Sequence, residues 1–130
     1  MMKPAIRFRV DLGEEGAIGP GKIALLEHIG RGGSLSQAAR ELGMSYRRAW
    51  LLLDSLNHCF RERVAVTAKG GRRGGGATLT AFGQQLIRAY RDFDAEMQAR
   101  AARHFRPILR AARGGAIPRK AARVLRLSDR

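Results

Sequence analysis

The sequence predicts a mainly α-helical domain that carries one small β hairpin. Apolar residues recur at helical spacing in four separate segments, and two short β-prone segments flank a glycine-rich stretch. The chain has 130 residues, of which 45% are hydrophobic, and this is enough for a small core. One domain with short appendages is therefore the simplest organisation.

The N-terminal segment has the pattern of a half-buried strand. In residues 5–12, AIRFRVDL, apolar residues alternate with charged ones, and a period of two is typical of a strand with one buried face. The apolar set is Ile6, Phe8, Val10 and Leu12. Four glycines and a proline in residues 13–21 then predict a turn. We assign residues 1–19 to an N-terminal strand and turn.

Two short helices are predicted after this turn. The first begins at Pro20 and ends near Gly30, since proline is favoured at a helix start and glycine near a helix end. The second is capped by Ser34, with Gln37 three residues later completing a capping box, and it runs to Leu42. Their predicted inward-facing residues are Ile23, Leu26, Ile29, Ala38, Ala39 and Leu42.

A third helix follows a tight turn. Gly43 lies at the position after a helix end, where a left-handed conformation is common, and Ser45 can cap the next helix. The core stripe of this helix is Ala49, Leu52, Leu53, Leu56 and Phe60. Two helices that cross steeply need a small residue where they touch, and Ala39 can be that residue.

The β-prone segments are residues 63–67, RVAVT, and residues 77–80, ATLT. The loop 68–77, AKGGRRGGGA, contains five glycines and three cations. We predict a two-stranded hairpin with a long flexible tip. The alternative of a phosphate-cradling nucleotide loop is rejected because no Lys-Ser/Thr follows and because the loop joins two strands.

A long helix is predicted from Thr80, its N-cap. Its apolar stripe is Phe82, Leu86, Ile87, Tyr90, Phe93 and Met97. The stripe is longer than a peripheral helix needs, and this favours contact with a partner chain. Residues 20–98 therefore form the predicted main unit. Residues 99–130 form a basic tail that holds ten basic residues and one acidic residue, with partial helix at best and a mobile end.

This order of elements is that of a winged helix-turn-helix with a long C-terminal dimerisation helix. In such a unit the second helix of the motif enters the DNA major groove by its N-terminal end, and the hairpin forms the wing. For an arginine pair alone a solvated helix face is the simpler interpretation, but the position of Arg47 and Arg48 at the reading end favours DNA contact. The candidate DNA-binding residues are Ser34, Ser36, Gln37, Ser45, Tyr46, Arg47, Arg48, Lys69, Arg72 and Arg73.

The charge distribution supports a polyanionic partner. The formal net charge is +14, and residues 61–130 hold 17 basic and 5 acidic side chains, against 8 and 6 in residues 1–60. Double-stranded DNA is the first candidate partner and an acidic lipid surface the second. No targeting segment or membrane span is visible, so we expect a cytoplasmic protein.

The same residues predict neither an enzyme nor a cofactor or metal site. The three histidines have no metal-ligand spacing, and no catalytic triad is evident. Cys59 is most simply a small buried hydrophobe. Trp50 is open between two placements, the DNA groove and the core, and its size favours the core with an exposed edge.

The stretch from Lys22 to about Met97 resembles a known family. The segments KIALLEHIGRGGSLSQAARELGMSYRRAW and AKGGRRGGGATLTAFGQQLIRAY are similar to the N-terminal DNA-binding domain of ModE, the molybdate-responsive transcription regulator, with its LysR-like winged helix. This resemblance implies a homodimer, with dimer contacts from the N-terminal strand and the long helix, and a role in molybdenum-related gene control. ModE proper continues into molybdate-binding domains, and no molybdate site can be carried over onto this chain.

The first functional hypothesis is therefore a homodimeric, sequence-specific transcription regulator. The alternative is a non-specific architectural DNA-binding protein that uses the basic tail. A third hypothesis is an oxyanion-binding protein that uses the glycine-rich tip.

Overall fold

The computed structural model describes residues 3–14, 16–68 and 76–113. It confirms the predicted fold class, a mainly helical domain with a small wing and a long C-terminal helix. The elements in chain order are β1 (Val10–Asp11), β2 (Ala17–Ile18), α1 (Pro20–Gly32), α2 (Leu35–Glu41), α3 (Tyr46–Cys59), β3 (Ala65–Thr67), β4 (Ala77–Leu79), α4 (Ala81–His104) and α5 (Arg106–Ala111). Over the described residues, no helix has both the length and the apolar character needed to cross a membrane.

The core lies where α1, α2 and α3 meet. Every predicted inward residue of α1 is fully buried, and so is Leu25, which the predicted stripe leaves out. The helix ends two residues later than predicted, at Gly32. Gly33 caps it in the left-handed conformation, with φ at 66°, which glycine adopts without the strain that a Cβ would bring. The fully buried large side chains are Ile23, Leu25, Leu26, Ile29, Leu35, Leu56 and Val64.

Lys22 is a buried cation that the sequence pattern did not single out. Its side chain is on α1 and only 5% of the residue is exposed. The ammonium group donates to the Ala17 carbonyl at 2.8 Å and to the Ser55 hydroxyl at 3.4 Å. Lys22 therefore ties β2 to α3 through α1, and these hydrogen bonds offset the cost of removing the charge from water.

The predicted strand over residues 5–12 is wrong for residues 5–9. Only Val10–Asp11 is a strand, and it pairs with Ala17–Ile18 in a small antiparallel hairpin. Residues 5–9 belong to no strand, and backbone groups of Ile6 and Phe8 bond to side chains of α4. Gln98 accepts from the Ile6 amide at 3.0 Å and donates to the Ile6 carbonyl at 2.7 Å. Ile6, Phe8 and Leu12 are half-buried as the alternation predicts, while Val10 is exposed.

The predicted hairpin of the wing is confirmed, and the link between α1 and α2 is hydrogen-bonded to its base. Strands β3 and β4 pair antiparallel, with Ala65 opposite Leu79. The Gly33 carbonyl accepts from the Ala77 amide at 2.9 Å, and Ser34 forms an isolated bridge with Gly76. The link between α1 and α2 therefore extends the wing sheet. The predicted flexible tip at residues 69–75 lies outside the described residues.

The long helix α4 is capped as predicted, because the Thr80 hydroxyl accepts from the Gly83 amide at 3.0 Å. The first half of its apolar stripe packs onto the core of the same chain through Phe82, Leu86 and Ile87. Tyr90 is also buried. The helix runs through residue 98 to His104, and α5 carries helical structure to Ala111. The rest of the tail, residues 114–130, lies outside the described residues.

A bidentate ion pair joins α1 to α4. The Arg91 guanidinium donates to both Glu27 carboxylate oxygens, at 2.9 and 2.6 Å. This hydrogen bonding lowers the pKa of Glu27 below its ordinary value, against the smaller opposing effect of burial. The same contact raises the pKa of Arg91, so the arginine stays charged wherever the protein is folded.

Replacing Glu27 with glutamine should cost stability that depends on pH. A carboxyl with a lowered folded-state pKa stabilises the fold above its unfolded pKa, and this contribution is lost as pH falls through the folded pKa. We expect Glu27→Gln to lower the free energy of unfolding by about 1 kcal/mol at pH 7, a value suited to a partly exposed bidentate pair. The difference from wild type should shrink as pH falls below about 4.5, the ordinary pKa.

Urea unfolding at matched protein concentration, at several pH values, measures this difference. Glu96→Gln is the control, because it removes an exposed carboxylate of α4 and leaves the ion pair intact. A Glu27→Gln difference that persists unchanged at low pH would contradict the linkage.

Candidate nucleic-acid interface

The turn between α2 and α3 is built as the sequence predicts. Ala39 is buried where the two helices approach each other, and its carbonyl accepts from the Met44 amide at 2.9 Å. Gly43 is left-handed, with φ at 67°, so the chain can reverse within a few residues. The turn that results holds α3 against the core by one side only, through Ala49, Leu53 and Leu56.

The N-terminal end of α3 is open to solvent. The Ser45 hydroxyl accepts from the Arg48 amide at 3.1 Å and caps the helix. Tyr46, Arg47 and Arg48 form the first turn, and all three are exposed. No acidic residue lies in this turn, so the two guanidinium groups add to the positive end of the helix dipole.

The other end of the candidate site is a cleft between the start of α2 and the base of the wing. Its volume is about 480 Å³, and it is lined by Gly32, Gly33, Ser34, Ser36, Gln37, Arg40 and Gly76. The Ser34 hydroxyl caps α2 by accepting from the Gln37 amide at 3.2 Å, as predicted. Three predicted DNA-binding residues, Ser34, Ser36 and Gln37, thus share one wall with the wing.

Two residues fix the wing root: Asn57, which the sequence did not mark, and Thr80, which it marked only as a helix cap. On α3, the Asn57 side chain accepts from the Val64 amide at 2.8 Å and donates to the Ala65 carbonyl at 3.3 Å. Directly after β4, the Thr80 hydroxyl donates to the Arg63 carbonyl at 2.6 Å. The wing is therefore positioned by α3 itself. An asparagine inside a helix carries no sequence signal for such a role, since its partner is set by tertiary packing.

Trp50 is not a core residue, which corrects the preference for burial. It is 45% exposed and lies outside the core cluster. Its ring borders a small cleft of about 100 Å³ with residues of α3 and of the wing root, among them Arg63 and Thr67. The core side of α3 is already filled by Ala49, Leu53 and Leu56, so a side chain on the flank has no room inside.

The remaining predicted positions have mixed outcomes. Lys69, Arg72 and Arg73 of the wing tip lie outside the described residues and stay a prediction. Cys59 is half-buried, and its thiol donates to the Ser55 carbonyl at 3.2 Å. Among the described residues, no group of three or more His, Cys, Asp or Glu side chains is placed to hold a metal ion.

Comparison with known proteins gives this geometry a context. Over 73 residues, or 56% of this chain, the sequence is 48% identical to the molybdenum-pterin-binding protein MopB of Rhodobacter capsulatus. Over 82 residues, or 63% of this chain, it is 43% identical to the DNA-binding transcriptional dual regulator ModE of Escherichia coli (strain K12). The molybdenum transport protein ModE of Azotobacter vinelandii is 37% identical over 93 residues, or 72% of this chain. No family model matches the chain.

The predicted resemblance to the ModE family is confirmed. The matched regions make up 27%, 31% and 34% of these three relatives, so the chain spans about a third of the length of the curated ModE-type proteins it matches.

Removing the Ser45 cap should destabilise the domain locally. We expect Ser45→Ala to lower the free energy of unfolding by about 1 kcal/mol, because the Arg48 amide loses its acceptor, and Ser45→Asp to restore most of it. Denaturant unfolding measures both variants. Ser36→Ala, a serine inside α2, is the control and should change stability by less than about 0.5 kcal/mol. Equal stability of Ser45→Ala and wild type would show that the cap contributes nothing.

Proposed function

We propose that this chain is a sequence-specific, DNA-binding transcription regulator that acts as a homodimer in molybdenum-related gene control. The observation that carries the proposal is the exposed, cationic first turn of α3, presented by a helix-turn-helix with a wing at its side. The resemblance to a protein named as the DNA-binding regulator ModE supports the same function.

The chemistry of the site fits the major groove. An α-helix fits into that groove, and the second helix of the motif enters it by its N-terminal residues. Arg47 lies opposite the buried side of α3 and can bond guanine through two nitrogens, the commonest specific contact. Arg48 and the Tyr46 hydroxyl can donate to phosphate oxygens, which fix position without reading sequence.

The wing and the start of α2 supply further phosphate contacts in this proposal. Arg40 lies in the cleft at the start of α2, and Arg61 and Arg63 are exposed beside the wing root. The wing cations Lys69, Arg72 and Arg73 would extend this surface along the duplex. Each neutralised phosphate releases condensed counterions, so binding should fall steeply with salt.

Homodimer formation is supported by the second half of α4 and by α5. Phe93, Phe105 and Ile108 are large apolar residues that are exposed in the single chain. The stripe before them is covered by the chain's own core, so the surface available to a partner begins at Phe93. The N-terminal segment borders it, since the Phe8 ring meets Phe93 edge-on at 5.2 Å. Two copies joined here would present two α3 helices to half-sites about 34 Å apart.

A second candidate, the architectural protein, is favoured by one specific observation. Between Met97 and residue 113 the chain has no acidic residue, while five exposed arginines follow one another at spacings of three or four. They are Arg100, Arg103, Arg106, Arg110 and Arg113. Such a run binds phosphate without regard to sequence.

Selection from randomised duplexes distinguishes the two functions. We expect the full chain to enrich one two-fold symmetric sequence, with protection of both half-sites in footprinting. Arg47→Ala should relax the preference at one position per half-site, a loss of about 1–3 kcal/mol of discrimination. Binding of random duplex with no sequence enriched would favour the architectural protein instead.

The wing variant is the matched comparison in the same assay. Replacing Lys69, Arg72 and Arg73 by glutamine should weaken binding to all sequences alike and flatten the slope of log affinity against log salt by about 0.9 per lost phosphate contact. An unchanged slope would remove the wing from the interface.

The dimer is tested by placing a charge on its proposed surface. Phe93→Asp should weaken self-association by about tenfold or more, because an aromatic contact is lost and a carboxylate is desolvated. Sedimentation equilibrium measures the change, with circular dichroism to confirm helical content. Gln84→Asp adds the same charge to an exposed position earlier in α4 and should leave the dimer intact. Association of Phe93→Asp that matches wild type would place the dimer contact elsewhere.

A further inference from the structure

The outer side of α3 is unusually apolar for a helix surface. Tyr46 is 48% exposed, Trp50 45% and Leu51 49%. A single exposed hydrophobe needs no explanation, but three large ones within six residues of one helix mark an interaction surface. Tyr46 shares the first turn with the two arginines, and Trp50 and Leu51 lie one turn further along the helix.

These residues are not misplaced parts of the core. Ala49, Leu53 and Leu56 form the buried side of α3. Leu51 follows Arg47 by one helical turn and therefore lies on the side opposite the core. Trp50 follows Tyr46 by one turn on the flank of the helix that borders the wing, in the cleft that also contains Arg63 and Thr67.

The charges around this surface identify its occupant. Arg47, Arg48 and Arg63 are all exposed around it. One carboxylate, that of Asp54, also lines the cleft beside Trp50, 3.5 Å from Nδ1 of His58. An apolar patch whose rim carries more guanidinium groups than carboxylates is complementary to a polyanion that also offers hydrocarbon. In the major groove of B-DNA the hydrocarbon presented by a base edge is the 5-methyl group of thymine. The apolar face proposed for the dimer is on other helices, α4 and α5.

We propose that Trp50 and Leu51 determine specificity by binding thymine methyl groups in the major groove. The inference rests on the proposed function and deepens it: the operator half-site contains thymines one or two base pairs from the guanine contacted by Arg47. Trp50 borders the cleft between α3 and the wing root, so a methyl group that it covers would be shielded from water by the indole ring.

The test begins with the duplex selected by the full chain. Each thymine of the half-site is replaced in turn by uracil, which removes only the methyl group. At one or two positions we expect affinity to fall by about fourfold for the loss of one buried methyl group. Uracil at thymines outside the half-site should have no effect. Equal affinity for thymine and uracil at every position would overturn the inference while leaving the regulator intact.

Protein variants assign the effect to the side chains. In Trp50→Ala the thymine-to-uracil ratio at the sensitive position should fall to less than about twofold, and Trp50→Phe should keep most of it. Arg48→Ala is the matched control: it should weaken binding to both duplexes and leave the ratio unchanged. A ratio that survives in both Trp50→Ala and Leu51→Ala would overturn the assignment.

A direct spectroscopic measurement needs no variant. Trp50 is the single tryptophan of the chain, so its fluorescence reports this surface alone. Saturating the wild-type protein with the selected duplex should shift emission to shorter wavelength, and the uracil duplex should shift it less. Emission that does not change on binding would overturn the inference. A selection that enriches no sequence would overturn the proposed regulator and this inference together.

Discussion

The backbone of Val64 is the point on which the rest of the structure depends. Its amide donates to Asn57 of α3, and its carbonyl accepts from the Thr80 amide at 3.1 Å at the start of α4. The helix can come this close only because residue 83 is glycine: a Cβ there would overlap the Val64 carbonyl. Helix α3, the wing and the long helix α4 are thus fixed to one another through a single fully buried residue.

This junction explains how one small core can hold two helices in place while each keeps an exposed surface, the outer side of α3 and the second half of α4. The buried side of α3 packs against α1 and α2, so its outer side stays exposed. The first half of α4 closes the core, so Phe93 in its second half stays exposed. A chain of 130 residues can bury only a small core. Because folded proteins are only marginally stable, most of the large apolar side chains are needed in that core. The ion pair between Glu27 and Arg91 reinforces the contact between α1 and α4 where apolar packing ends.

In the N-terminal segment the alternation predicted the buried side chains largely correctly, but the predicted strand pairing of residues 5–9 was wrong. Its period of two reflects one face turned inward, and Ile6, Phe8 and Leu12 are indeed half-buried. The pattern does not indicate which groups form hydrogen bonds with the backbone amides and carbonyls of this segment. Gln98 bonds both polar groups of Ile6, and the Tyr90 hydroxyl donates to the Phe8 carbonyl at 2.9 Å. A helix side chain can replace a neighbouring strand because a backbone amide needs an acceptor of any kind.

The sequence by itself determined the order and type of α1 to α4 and of the wing hairpin, the caps at Ser34, Ser45 and Thr80, the left-handed turn at Gly43 and the cationic end of α3. These are local properties, set within one or two helical turns by side-chain chemistry and spacing. Only the tertiary structure decided the roles of Asn57, Lys22 and Gln98, the bridge between Ser34 and Gly76, and the exposure of Trp50. Each of these depends on which distant segment arrives at a given position, and that is fixed by packing of the whole core, which no local pattern encodes.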